Sequence, residues 1–117
     1  MSNIYLHNPW CSKSRQGIEV LEKSGIDYEV REYLKEPLKQ KEAENLYVLL
    51  TKTYDLKEFT RYKEKTFKEQ NLSLENMTKA KWVSMVTKNP VLIERPILFS
   101  TSKAIIGRPP EELKQFK

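Results

Sequence analysis

The sequence is poor in the residues that build disulfide frameworks and metal sites. Its 117 residues include one cysteine, one histidine and only three glycines. A single thiol excludes an internal disulfide, and one Cys with one His gives too few soft ligands for a zinc site. We therefore expect a reduced thiol, a cytoplasmic location and no metal.

The sequence also lacks a long apolar run. No segment approaches the roughly 20 residues needed to span a bilayer, and the N-terminal "MSNIYLHN" lacks the basic and then apolar order of a signal peptide. No repeat or Gly/Ser/Pro-rich linker divides the chain. We predict no membrane association, a single domain over residues 1–117, and a monomer.

Positive charge is in excess, but arginine is scarce. The formal net charge is +5, and only five of the 21 cationic side chains are arginines. The lysines alternate with glutamates, as in "EKTFKEQ" and "LKQKEAE", which is typical of solvated helix faces. The pattern predicts no specific nucleic-acid binding, and it makes the positions of the arginines more informative than those of the lysines.

The first third of the chain has a strand, helix, strand pattern. Alternating apolar residues predict a strand from Asn3 to His7, and a helical stripe begins near Ser12 and ends at Gly25. A second strand is predicted over "YEVREYL", residues 28–34. Three elements in about thirty residues indicate a parallel βαβ unit.

The middle of the chain is predicted to be an all-helical insertion over about residues 39–89. Apolar residues at helical spacing predict an amphipathic helix over 39–50. Short helical pieces follow near Leu56 and over 64–70. The last helix is expected to begin at an N-cap, Thr78, and to end at Asn89-Pro90. Its predicted buried stripe is Trp82, Val83 and Val86.

The last third returns to strand character. The segments Ile97 to Phe99 and Ala104 to Ile106 predict a β-hairpin, and "PPEELKQF" after Gly107 predicts a short terminal helix. The element order gives an α/β fold. We predict a thioredoxin-like mixed β-sheet with flanking helices, and an all-helical insertion between its βαβ and ββα halves.

The stretch "HNPWCSKSR" places the only thiol at the junction of a strand and a helix. Free amides and the helix dipole favour an anion at this position, so the pKa of Cys11 should be low. Arg15 lies one turn further along, and His7 can donate to the thiolate or act as a local cation. A tetrahedral oxyanion would fit beside such a sulfur. The alternative is that Cys11 is a small buried hydrophobe.

The chain resembles the glutaredoxin-coupled arsenate reductase family at four motifs. "HNPWCSKSR" is similar to the family's His-x3-Cys-x3-Arg loop, and "FTRYKE", "LIERPILF" and "IIGRPPEEL" resemble the segments of its three distal arginines. These arginines are Arg61, Arg95 and Arg108, which leaves only Arg31 outside the motifs. The similarity runs over residues 4 to about 113 and is closest to the short members of the family.

The resemblance implies a function and roles for these residues. Cys11 would attack arsenic, while Arg61, Arg95 and Arg108 would hold the remaining oxygens of arsenate or a similar oxyanion. Arg15 and the helix amides would stabilise the sulfur side. A lone protein thiol cannot resolve the adduct, so glutathione would be the co-substrate and glutaredoxin the partner. No bound cofactor is expected. Each arginine taken alone could equally be a surface cation.

The resemblance also implies a cis peptide bond before Pro96, the position of the cis-proline of thioredoxin-like folds. A sister branch, the Spx-type regulators, binds RNA polymerase and senses oxidation through Cys-x-x-Cys. Here Ser14 replaces the second cysteine, so that switch cannot form within the chain. Two alternatives stay open, a non-switching Spx-like interaction module and a thiol oxidoreductase acting on another substrate.

Overall fold

The structure, a computed structural model, describes residues 3–116. The strands are β1 (Ile4–Leu6), β2 (Glu29–Arg31), β3 (Ile97–Phe99) and β4 (Ala104–Ile106). The α-helices are α1 (Ser12–Ser24), α2 (Gln40–Thr51), α3 (Leu56–Phe59), α4 (Lys65–Glu69) and α5 (Lys79–Lys88), and two 3₁₀ helices span Pro90–Leu92 and Pro110–Phe116. The chain forms two compact units, a helical unit of residues 37–94 and a sheet unit made of the described residues outside that range.

The sheet unit contains a four-stranded mixed sheet, as the sequence predicted. The strand order is β2-β1-β3-β4, with β1 parallel to β2 and the other two pairs antiparallel. β3 and β4 have the predicted bounds, whereas β1 and β2 are shorter than predicted because their pairing stops after three residues. Leu6 pairs with Ile97, so the chain leaving β1 and the chain entering β3 lie at the same end of the sheet.

Two of the three α1 residues that are buried have small side chains. It ends where predicted, at Gly25, whose φ of 68° is left-handed and whose N–H points to the carbonyls of Leu21 and Glu22. The fully buried positions of the helix are Ser14, Gly17 and Leu21. Of the predicted apolar stripe, Leu21 is buried, whereas Ile18 and Val20 are only partly buried. Small residues face the sheet because the helix runs close against Tyr5, and a Cβ on Gly17 would collide with the Tyr5 hydroxyl.

The helical unit has an aromatic core. Trp82 is fully buried, its ring centroid lies 5.5 Å from those of Phe59 and Tyr47, and its Nε1 donates to Thr60 Oγ1 over 2.9 Å. The predicted N-cap is confirmed, since the Thr78 hydroxyl accepts from the amide of Lys81. The unit extends past the predicted end at residue 89 because a 3₁₀ turn and a bridge between Thr60 and Ile93 attach the following residues to it.

The predicted short terminal helix is present and is a 3₁₀ helix, Pro110–Phe116. Leu113 and Phe116 are buried in the core of the sheet unit, and Lys103 Nζ donates to the carbonyls of Gln115 and Phe116. Carbonyl groups at a helix end have no partner within the helix, so an ammonium group there is favourable. No helix among residues 3–116 is long and apolar enough to cross a membrane.

Candidate active site

The loop between β1 and α1 is fixed by its own hydrogen bonds. The Cys11 amide donates to the Asn8 carbonyl over 3.0 Å, and the Trp10 amide donates to Asn8 Oδ1 over 3.0 Å. Arg15 Nη1 donates to the Pro9 carbonyl over 2.7 Å. This turn leaves the Trp10 side chain 86% exposed beside Cys11. The loop therefore presents the thiol from a tight, internally bonded turn.

Cys11 is the N-cap residue of α1, with an extended backbone at φ −99° and ψ 122°. Partial burial raises the pKa of its thiol, but this is outweighed by the amide of Ser14, the charge of Arg95, the amide of Lys13 and a hydrogen bond from Arg95. The net effect is a pKa below the ordinary value for cysteine. The direction agrees with the sequence prediction, and the thiolate is the favoured nucleophile.

Arg95 is the arginine that acts on the sulfur. It lies just before β3, at the end of the sheet where the Cys11 loop also lies, and its Nε and Nη1 are buried. Arg108 Nε donates to the Arg95 carbonyl over 2.7 Å, so two of the three distal arginines meet. The Arg95–Pro96 peptide bond is cis, as predicted, and Arg108–Pro109 is also cis.

Arg15 and His7 differ from their sequence expectations. Arg15 lies one turn after Cys11 as predicted, but its guanidinium bonds the Pro9 carbonyl and the charge acting on the thiol comes from Arg95. Burial and the nearby Arg15 lower the pKa of His7 although Glu32 opposes them. The lowered pKa favours the neutral ring over a local cation, and donation from His7 to the thiolate stays a prediction.

Ser14 is a site residue that sequence reasoning missed. Its buried hydroxyl lies 2.7 Å from His7 Nδ1 and accepts from the Asn8 amide over 3.0 Å. Its carbonyl accepts from the Tyr5 hydroxyl over 2.6 Å. The signal available in the sequence was a small hydroxyl residue in the first helical turn, three positions after the cysteine. Its side chain and its carbonyl tie the loop and the helix to β1.

Arg61 belongs to the helical unit. Its Nη2 lies 2.8 Å from Glu64 Oε2, and its amide donates to the Leu92 carbonyl. It lines a cleft of about 310 Å³ that also contains Lys57, Thr60, Tyr62, Lys63, Glu64 and Glu94. Its predicted part in substrate binding stays a prediction.

The sheet-unit site can perform nucleophilic chemistry on an anion. It combines a thiol of low pKa, two helix amides and two arginines at one end of the sheet. Within residues 3–116 no three His, Cys, Asp or Glu side chains are grouped so as to hold a metal ion. A thiolate beside guanidinium groups can attack a small oxyanion, because the cations reduce the repulsion between the two negative charges.

The family model of the ArsC family matches residues 6–116. The chain belongs to the ArsC family. It is 36% identical over 111 residues to an arsenate reductase of Haemophilus influenzae, covering 95% of each chain. It is 37% identical over 107 residues to the uncharacterized protein YfgD of Escherichia coli, covering 92% of this chain and 89% of that one.

Solved structures support the same ArsC assignment. An arsenate reductase from Vibrio cholerae superposes with a TM-score of 0.86 at 35% identity, over 100% of this chain and 98% of that one. The thioredoxin-like α/β fold predicted from the sequence is thus confirmed. ArsC relatives also include a transcriptional regulator, Spx 2 of Oceanobacillus iheyensis, which is 26% identical over 97% of this chain and 82% of its own.

Proposed function

We propose that this ArsC-family protein is an arsenate reductase with Cys11 as its nucleophile. The single observation that supports this most strongly is the convergence of two helix amides and Arg95 on the only thiol of the chain. Relatives at 34–36% identity that bear the name arsenate reductase support the substrate. Oxidoreductase chemistry follows, since conversion of arsenate to arsenite is a two-electron reduction.

The first step forms a bond between sulfur and arsenic. The Cys11 thiolate attacks arsenic(V) in bound arsenate, and one oxygen leaves as water after taking up protons, giving a cysteinyl-arsenate adduct. Arsenic remains arsenic(V) in this step, since no electrons have been transferred to it. Arg95 and the amides of Lys13 and Ser14 stabilise the negative charge on the sulfur for this attack.

The later steps need two thiols from outside the chain. The thiol of glutathione displaces a second oxygen as water, so that arsenic carries two sulfurs. A glutaredoxin thiol then attacks the glutathione sulfur, which forms a mixed disulfide and leaves the electron pair of the broken S–As bond on arsenic as arsenic(III). Water hydrolyses the remaining Cys11–arsenic bond, which releases arsenite and restores the thiol. The two thiols lose two electrons in total.

The distal arginines would hold the oxygens that remain on arsenic. Arg95 and Arg108 already meet through the Arg95 carbonyl, so they can present guanidinium groups on one side of the sulfur. Arg61 would join only by exchanging Glu64 for the oxyanion. Both partners of that ion pair are partly exposed, at 26% and 33%, so the exchange would cost little.

The proposed function is tested by omitting each thiol donor from the reaction in turn. Purified protein with arsenate, glutathione, glutaredoxin and a system that recycles oxidised glutathione should produce arsenite, which is measured directly by arsenic speciation. Leaving out either glutathione or glutaredoxin should reduce the rate to that of a reaction without the protein. An undiminished rate without glutaredoxin would contradict the proposed thiol donor, and no arsenite in the full mixture would contradict the substrate.

Two other functions make different demands. An interaction module like Spx is favoured by the relatives of that name, and it should bind RNA polymerase equally well with or without Cys11. A thiol oxidoreductase with another substrate should keep a reactive Cys11 but produce no arsenite. We further propose a monomer in the cytoplasm, where glutathione keeps thiols reduced, without partners among membranes or nucleic acids.

A further inference from the structure

A buried phenol lies directly behind the nucleophile helix. Tyr5 is on β1 with none of its surface exposed, and its hydroxyl donates to the Ser14 carbonyl over 2.6 Å. Its ring stacks on His7 at a centroid distance of 5.8 Å. Tyr5 therefore contacts both Ser14 and His7, yet the proposed chemistry assigns it no part.

Ser14 is fixed at three separate atoms. Its carbonyl accepts from Tyr5, its hydroxyl bonds His7 and the Asn8 amide, and its own amide is one of the groups that stabilise negative charge on the Cys11 sulfur. A peptide segment held in this way has little freedom to rotate. The amide direction is thus set partly by a tyrosine from the neighbouring strand.

Gly17 in α1 leaves the space that the Tyr5 phenol occupies. A Cβ at position 17 would overlap the Tyr5 hydroxyl, and it would press on Leu113 at 3.0 Å. Glycine inside a helix is destabilising relative to alanine. Its presence at a buried position facing Tyr5 lets the hydroxyl reach the helix backbone.

We propose that Tyr5 is a positioning residue for the nucleophile. By donating to the Ser14 carbonyl, it holds the first turn of α1 so that the amides of Lys13 and Ser14 point at the Cys11 sulfur. It does not touch the substrate or the sulfur. Its effect on the reaction is exerted through Ser14.

The hydroxyl remains a donor throughout the working pH range. Burial raises the pKa of Tyr5 far above its ordinary value, the Ser14 side chain lowers it by less, and Cys11 and Tyr28 raise it further. The titratable groups that face it are Cys11, Tyr28 and His7. None of them can take its proton near neutral pH, so the contact with the Ser14 carbonyl persists.

The inference rests on the proposed function only in taking Cys11 as the nucleophile. Its test reads the protonation of the thiol without arsenate, glutathione or glutaredoxin. A protein that fails to reduce arsenate could still show the effect, and an active reductase could fail to show it. The two outcomes are therefore distinguishable.

The test is Tyr5→Phe, read as the rate of Cys11 alkylation by iodoacetamide against pH. Loss of a hydrogen bond worth about 1 kcal/mol, transmitted in part to the thiolate, should slow alkylation about two- to fivefold below the thiol pKa, with an unchanged rate at high pH. The matched control is Tyr28→Phe, since Tyr28 packs against the same core and its hydroxyl interacts with Glu22. It should leave the profile unchanged.

A second variant tests the same contact differently. In Gly17→Ala the added methyl group displaces the phenol from the Ser14 carbonyl, so the alkylation profile should move to higher pH as in Tyr5→Phe. Folding of each variant is checked by near-UV circular dichroism. If the two folded variants, or whichever of them folds, show the wild-type profile, or if Tyr28→Phe shifts it equally, Tyr5 has only a structural role and the proposal is overturned.

Discussion

Replacing Cys11 by serine is expected to abolish arsenate reduction, lowering the rate to that of a reaction without protein. A serine hydroxyl stays protonated at any working pH, so the helix amides and Arg95 would have no thiolate to stabilise. The variant also removes the only thiol, and alkylation should be lost completely. Arsenite production is measured with glutathione and glutaredoxin at fixed concentrations.

The control for this variant is Ser12→Ala, at the adjacent and exposed position. It should keep the wild-type rate, and both variants should unfold at nearly the same urea concentration because Cys11 is only partly buried. Arsenite production by Cys11→Ser above background would show that the reduction proceeds without a thiol of this chain.

Replacing Arg95 by glutamine is expected to have the second largest effect. Its charge and its hydrogen bond both lower the pKa of Cys11, so their loss should raise that pKa and slow alkylation near pH 6. The variant should also bind arsenate with one guanidinium group fewer than the wild type. Removal of one donor from an oxyanion site commonly costs about 10²–10³ in turnover, and we expect kcat/KM for arsenate to fall by about a hundredfold or more.

Lys13→Gln provides a control with the same change of charge in the first turn of α1. The Lys13 amide interacts with the sulfur, whereas its side chain is exposed, so the alkylation profile should be close to that of the wild type. An equal shift in both variants would mean that general surface charge, rather than the placement of Arg95, sets the pKa of Cys11.

The order of elements could be predicted from local sequence signals. Gly25 ends α1 because a left-handed residue is needed there, and Thr78 begins α5 because its hydroxyl accepts a free helix amide. Such signals are contained in a few neighbouring residues. The lengths of β1 and β2 were overestimated, since the extent of strand pairing depends on partners outside each segment, whereas β3 and β4 have the predicted bounds.

The placement of the candidate site residues along the chain was predicted better than their contacts. Helical spacing correctly put Arg15 one turn from Cys11, but spacing does not tell where a long side chain ends, and this one bonds Pro9. Arg95 reaches the thiol through the pairing of β1 with β3, which links residues about ninety positions apart. Tyr5 and Ser14 were missed because their roles arise from packing between a strand and a helix.

The most direct test of the central claim is the pKa of Cys11 in the wild-type protein, obtained from the alkylation rate against pH. The reactive species is the thiolate, so a lowered pKa moves the midpoint of the profile below the value of about 8.5 for a free cysteine. Arsenate bound beside the sulfur should slow alkylation. A midpoint near 8.5 that arsenate does not change would contradict an activated thiolate in an oxyanion site.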